Sequence, residues 1–161
     1  MTRFEIRVTI DRPADIVTEA LNNAENFPYW QTDLVRFEVV EGGANQVGSI
    51  GRLHYSQKGR SYIMEDKLIY CEPGRKYISE VTGDALAAKV ETTLRSLGNK
   101  TEMNLRWSGK GKSLLLKLSL PFLRAKIAKQ AKEELETFKQ LVEERGSDFS
   151  KQPEDGVQQR I

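Results

Sequence analysis

The sequence predicts an α+β domain in which one amino-terminal strand and two short helices precede six antiparallel strands and a long carboxy-terminal helix. Three observations carry this. Residues 4–10 alternate apolar and polar without a fault; from residue 34 to residue 109, β-rich runs are separated by turn sequences; and from Leu123 to Val142 apolar residues recur every three or four positions.

Taken in order, Phe4, Ile6, Val8 and Ile10 oppose Glu5, Arg7 and Thr9, the period of a half-buried strand. Asp11 is expected to cap a helix that has Pro13 near its first position and carries Ile16, Val17, Ala20 and Leu21 at helical spacing through Asn22. The segment from Ala24 to Trp30 sets three aromatics around Pro28 and predicts a second helical turn followed by a bend. Strands follow at Leu34–Glu41, Ser49–Gln57, Ser61–Tyr70, Lys76–Thr82, Ala87–Leu97 and Thr101–Ser108. Gly42-Gly43, Lys58-Gly59, Glu72-Pro73-Gly74, Gly83-Asp84 and Gly98-Asn99 break them, so neighbours should pair as a meander, and with the first strand the sheet has seven strands.

The closing helix draws one stripe through Leu123, Ile127, Ala131, Leu135, Phe138 and Val142, and Gly146 ends it. Pro121 lacks an amide hydrogen, so the stretch from Ser113 is either a kinked first turn or a separate short piece. Residues 147–161 carry Pro153, Gly156 and no periodicity; they are expected to form a disordered tail behind a folded domain of residues 1–146.

Composition removes whole classes of function. At 161 residues and 39% hydrophobic the chain buries a core without staples. Lys plus Arg is 25 against 23 for Asp plus Glu, so a net charge of +2 makes no case for a globally basic nucleic-acid binder. The single cysteine, Cys71, rules out an intrachain disulfide and a Cys-rich zinc site, and the single histidine, His54, rules out a histidine pair or a three-histidine metal site. No metal or cofactor is expected. The amino terminus lacks a secretory pattern and no window approaches about 18 apolar residues, so the chain reads as cytoplasmic, peripheral to a membrane at most.

Three stretches resemble a known family. Ile10-Asp-Arg-Pro-Ala-Asp-Ile-Val-Thr-Glu-Ala-Leu21 is similar to its strand-end and helix start, Asn26-Phe-Pro-Tyr-Trp30 to its aromatic turn, and Lys67-Leu-Ile-Tyr-Cys-Glu-Pro-Gly-Arg-Lys-Tyr77 to a hairpin between its middle strands. Together with the element order, they resemble the START/Bet v 1-like (SRPBCC) superfamily, in its polyketide cyclase/dehydrase and lipid-transport-like branch. Thr18 departs from the pattern, which often has Trp or Phe there. The resemblance spans about residues 4–145 and implies the helix-grip fold, a sheet curled around the long helix. The superfamily's members share a cavity rather than a reaction.

In such a fold, alternate strand positions face the helix and line either a packed core or a ligand chamber. The inward sets should be Met103, Leu105 and Trp107 on one strand and Ala88, Val90, Thr92 and Leu94 on its neighbour. On Ser61–Tyr70, the face Tyr62, Met64, Asp66, Leu68 and Tyr70 has the larger apolar area. If it points inward, Asp66 is an acid in an apolar chamber, either paired with an arginine or poised for proton transfer; otherwise it is exposed or salt-bridged. Leu53 and Tyr55 read as core, which turns His54 outward with Arg52, and Cys71 has no basic neighbour in sequence to activate it. Tyr55, Tyr62 and Tyr77, with Trp30 and Trp107, suit a chamber that grips an apolar molecule and fixes it by a hydrogen bond or two, or else an ordinary aromatic core. With Met64, Asp66, Met103 and Ile127 they are the candidate ligand-binding residues.

Charge is unevenly placed. Between Lys100 and Lys132 nine basic residues stand against the single acid Glu102, net +8, which leaves −6 for the rest. The segment around Leu114–Lys129 holds more leucine than one helix face can bury, so Lys112, Lys117, Arg124, Lys126 and Lys129 are candidates for contact with an anionic membrane surface; otherwise they form a solvated face. Nucleic acid is not expected, because aromatics do not interleave with these basic residues. Two functions follow. The first is a binding module for a hydrophobic small molecule or lipid, collected at a membrane; the alternative is a cyclase/dehydrase-type enzyme in which Tyr62, Asp66 and Tyr77 polarise a carbonyl or move a proton. The sequence assigns neither a definite catalytic residue nor an oligomeric state.

Overall fold

The computed structural model describes residues 1–152. Strand β1 spans Thr2–Ile10; helix α1, Ala14–Asn22; a 3-10 turn, Ala24–Asn26; and α2, Phe27–Trp30. Then come β2 at Leu34–Glu41, β3 at Ile50–Gln57, β4 at Arg60–Glu72, β5 at Lys76–Thr82, β6 at Leu86–Ser96, β7 at Thr101–Gly111, and α3 at Leu114–Arg145. The strands form one antiparallel sheet in the order β1-β7-β6-β5-β4-β3-β2, curled around α3. β1 joins at the far end by pairing with β7, from Thr2 opposite Gly109 to Ile10 opposite Thr101. This is the helix-grip fold.

Three local expectations are corrected. Asp11 does not cap α1: Pro13 occupies the N-cap in an extended conformation, and no side chain caps the helix. The Asp11 amide instead donates to Glu143 Oε2 on α3 at 2.7 Å. The two forms open for the stretch from Ser113 resolve into one continuous helix that runs through Pro121. The Ser113 side chain caps it by accepting from the Leu116 amide at 3.2 Å, and Pro121 sits on the exposed side, where its ring displaces no neighbouring strand.

The third correction concerns the chain after Gly146, which ends α3 at φ +74° with its amide donating to Val142 O. Residues 147–152 turn back onto the body, and Phe149 is fully buried against Phe138 and Tyr29. Asn26 makes this possible. It is buried, its Nδ2 donates to Ala20 O and Ser147 O, and its Oδ1 accepts from the Phe149 amide at 3.0 Å. A buried amide that satisfies three backbone groups is a local organiser that a periodicity search passes over. The rest of the expected tail lies outside the described residues.

These contacts build a filled end of the molecule. Ile10, Val17, Ala20, Leu94, Met103, Leu135, Phe138, Val142 and Phe149 form one cluster between α1, the last turns of α3 and the sheet. Away from it, the sheet and the middle of α3 leave space between them.

Candidate functional site

Between the curled sheet and α3 lies a half-open cavity of about 660 Å³. Strand alternation builds its walls: Phe37 and Val39 from β2; Gly51, Leu53 and Tyr55 from β3; Tyr62, Met64, Asp66 and Leu68 from β4; Tyr77, Ser79 and Val81 from β5; Leu86, Ala88, Val90 and Thr92 from β6; Leu105 and Trp107 from β7. Ile127, Gln130, Ala131 and Glu134 of α3 form the roof, and Phe27 and Trp30 close the side at α2. Two glycines make room for aromatic rings of the wall. A Cβ on Gly51 would stand 2.1 Å from Phe37 Cζ of the neighbouring strand, and one on Gly109 would stand 2.2 Å from Trp107 Cη2 two residues back on its own strand, so each glycine leaves room for an aromatic ring to lie over the sheet. Trp107 also stacks on Phe4, with ring centroids 5.1 Å apart.

Eight of the nine residues singled out from sequence line this cavity: Trp30, Tyr55, Tyr62, Met64, Asp66, Tyr77, Trp107 and Ile127. Met103 does not. It faces inward as its alternation requires, but at the filled end, where it is 1% exposed. Tyr70 also leaves the expected face, because a β-bulge between Leu68 and Tyr70 inserts Ile69 and reverses the parity of the strand beyond it. Its hydroxyl donates to Glu72 on the outside.

The polar groups of the chamber differ in what they have left to offer. The Tyr77 hydroxyl is engaged: it accepts from the Gly74 amide at 2.7 Å and from Asn22 Nδ2 at 3.4 Å, which ties α1 to the β4–β5 turn. Tyr55 and Tyr62 stack with centroids 4.9 Å apart. Burial, with the carboxyls of Glu134 and Asp66 nearby, holds the Tyr55 phenol well above its ordinary range. Burial likewise pushes the Asp66 carboxyl up, while the Ser79 hydroxyl beside it works in the opposite direction. Asp66 is therefore inside the chamber, and no arginine or lysine pairs with it among the described residues. Glu134 is raised by burial as well, although it accepts from the Thr32 amide at 2.8 Å and from Gln130 Nε2 at 3.4 Å.

Glu134 was not among the sequence candidates. Its signal was available: it follows Ile127 and Ala131 by seven and three positions, an acid on the apolar stripe of α3. Phe37, Ser79 and Gln130 carried no comparable mark. His54 stands on the outer face, its Nε2 3.0 Å from Glu38 Oε1 of β2. Cys71 Sγ lies 3.7 Å from Asn45 Oδ1, and burial raises its thiol, the opposite of an activated nucleophile.

The amino-terminal half of α3 is a second feature. Leu114, Leu115, Leu118 and Phe122 are 73%, 79%, 65% and 87% exposed, an apolar stripe on the helix face turned away from the sheet. Lys112, Lys117, Lys126 and Lys129 around it are exposed and in no ion pair among the described residues. Arg124 is exposed too, but its Nε donates to Arg3 O at 2.7 Å and anchors the helix to β1. Among the described residues no helix is long and apolar enough to cross a membrane.

The chain belongs to the family described as polyketide cyclase / dehydrase and lipid transport, whose model matches residues 1–143. No curated protein matches the sequence. Among solved structures it is similar to the ZhuI aromatase/cyclase from Streptomyces sp. R1128, at 19% identity and a TM-score of 0.75, covering 89% of this chain and 94% of that one. It is also similar to a START superfamily protein from Mycobacterium smegmatis, at 15% identity and a TM-score of 0.68, covering 84% and 95% of the two chains. A third similar structure is Ara h 8.0201, at 17% identity and a TM-score of 0.71, with coverage of 87% and 96%. These likenesses establish the fold, which hosts many chemistries.

Proposed function

We propose that this protein binds a hydrophobic small molecule or lipid in the chamber between sheet and α3 and collects it at an anionic membrane surface. The observation that carries the reading is the cavity of about 660 Å³, walled mostly by aliphatic and aromatic side chains, in a domain whose other end is tightly filled. Apolar surface left open to this extent costs stability unless a ligand or partner covers it at work. The family, with its lipid-transport members, supports the same reading. Ligand-binding roles for Trp30, Tyr55, Tyr62, Met64, Asp66, Tyr77, Trp107 and Ile127 are part of this proposal. Native mass spectrometry of protein purified from its own host tests it: a co-purifying apolar molecule, lost when Ala88→Trp fills the chamber, is the expected result.

The exposed stripe of α3 supports the membrane half. Each basic side chain near an anionic surface contributes about 1 kcal/mol, and each buried Leu or Phe about 1.5–3 kcal/mol. Ile127 of the cavity roof lies only about 7.5 Å along the helix axis from Phe122. Sedimentation with vesicles containing phosphatidylserine should carry the protein down, and Phe122→Asp or Lys117, Lys126 and Lys129 changed to Glu should leave it in the supernatant. Equal sedimentation of all variants would sink this half.

One observation favours a second reading, an enzyme of the cyclase/dehydrase type. Asp66, with its carboxyl raised by burial, can hold a proton inside the chamber, and Tyr55 and Tyr62 line the same chamber with phenol groups. The matching test is turnover of a poly-β-ketone thioester, which Asp66→Asn should abolish while apolar ligand binding persists.

A further inference from the structure

The charge inside the chamber is opposite to the charge around it. Among the described residues that line the cavity, the charged ones are Glu41, Asp66 and Glu134, all acidic, and no lysine, arginine or histidine reaches it. In a chain with 25 basic residues, every one of those described faces elsewhere. An anionic head group drawn in here would lose its hydration, find no counter-charge and lie in the field of two half-buried carboxyls. A cationic one would find both.

The carboxyls are not equivalent. Glu134 sits at the roof and already accepts from the Thr32 amide and Gln130 Nε2. Asp66 lies in the middle of the sheet wall beside the Ser79 hydroxyl and pairs with no basic side chain among the described residues, so it keeps acceptor capacity for a ligand. Phe37, Tyr55 and Trp107 also line the cavity, and aromatic rings attract an ammonium group. Building on the chamber reading above, we propose that this cavity selects ligands that join an apolar body to a protonated amine, with the amine pairing to Asp66, and that it rejects anionic amphiphiles. A corollary follows for the membrane: the lysines on the outer face of α3 would favour an anionic bilayer, while the chamber would not extract the anionic lipids of that bilayer.

Three ligands of one chain length test this, dodecylamine, dodecanol and dodecanoate, each below its micelle concentration at pH 7.5, displacing the neutral fluorophore N-phenyl-1-naphthylamine. Asp66→Asn leaves the surface charge untouched, so a preference that disappears with it arises in the chamber rather than on the surface. Dodecylamine should bind about tenfold or more tighter than dodecanoate, with dodecanol between. Asp66→Asn should bring the ratio of dodecylamine to dodecanol affinity, both measured on the same variant, to about one, while Glu134→Gln should lower that ratio less. Equal binding of the three, or tightest binding of dodecanoate, overturns the selectivity and leaves the chamber standing. Failure of all three and of the fluorophore to bind overturns the chamber reading and this inference with it.

Discussion

The two halves of α3 are both rich in apolar residues, yet they meet different surroundings. In the carboxy-terminal half, Leu135, Phe138 and Val142 are at most 1% exposed, enclosed by α1, Trp30, Phe149 and the sheet. In the amino-terminal half, Leu120 is buried, while Leu114, Leu115, Leu118 and Phe122 face outward. One half therefore contributes stability, and the other holds apolar area in reserve. Apolar periodicity identifies a helix, but what covers each face is a property of the whole fold.

Stability measurements sharpen this contrast. Phe138→Ala at the filled end should cost about 3–5 kcal/mol in urea denaturation, because close-packed neighbours cannot collapse into the space of a ring. Asn26→Ala should cost about 2–3 kcal/mol by the same assay, since it strands the Phe149 amide and the Ala20 and Ser147 carbonyls in a buried site. A loss under about 0.5 kcal/mol for Asn26→Ala would mean that residues 147–152 do not close the core.

At the cavity the sign reverses. The Asp66 carboxyl is raised in the folded state, so the native protein binds that proton more tightly than the unfolded chain does. Its contribution is whole below the ordinary aspartate range and is lost as pH rises through the raised value. Asp66→Asn should therefore raise Tm by about 2–4 °C at pH 7, the shift expected for about 1 kcal/mol in a domain of this size, and the gap should close toward pH 4. A lower Tm for the variant at pH 7 would show that the charged form has a partner. Smallest of all, Leu118→Ser and Phe122→Ser should change stability by no more than about 0.5 kcal/mol, whatever they do to vesicle binding. A loss of 2 kcal/mol or more, on the order of a buried side chain, would mean that this stripe is covered in solution.

Much of the fold could be read from local patterns. The alternation of Phe4 to Ile10, the turn pairs such as Lys58-Gly59 and the stripe ending at Gly146 each report a geometry that neighbouring residues impose. The inward set Leu105 and Trp107 followed from parity alone, and most of the cavity wall followed with it. Parity failed at Tyr70, where a bulge intervenes, and it could not separate Met103 at the filled end from Trp107 at the open end of one strand. Phe149 escaped notice because a single aromatic in a polar stretch has no period; its burial depends on Asn26, 123 positions away in sequence.

By itself the sequence determined the element order, the sheet partners, the faces that β3, β6 and β7 turn inward and the surplus of positive charge between Lys100 and Lys132. Those are consequences of backbone geometry and covalent spacing, which act over a few residues. Only the tertiary structure decided that the inward faces enclose space at one end and close it at the other. It also brought Asp66 of β4 and Glu134 of α3 to the same chamber while directing every described basic side chain elsewhere. Burial and the sign of a local field are sums over residues distant in the chain, so they exist only once the sheet has curled around the helix.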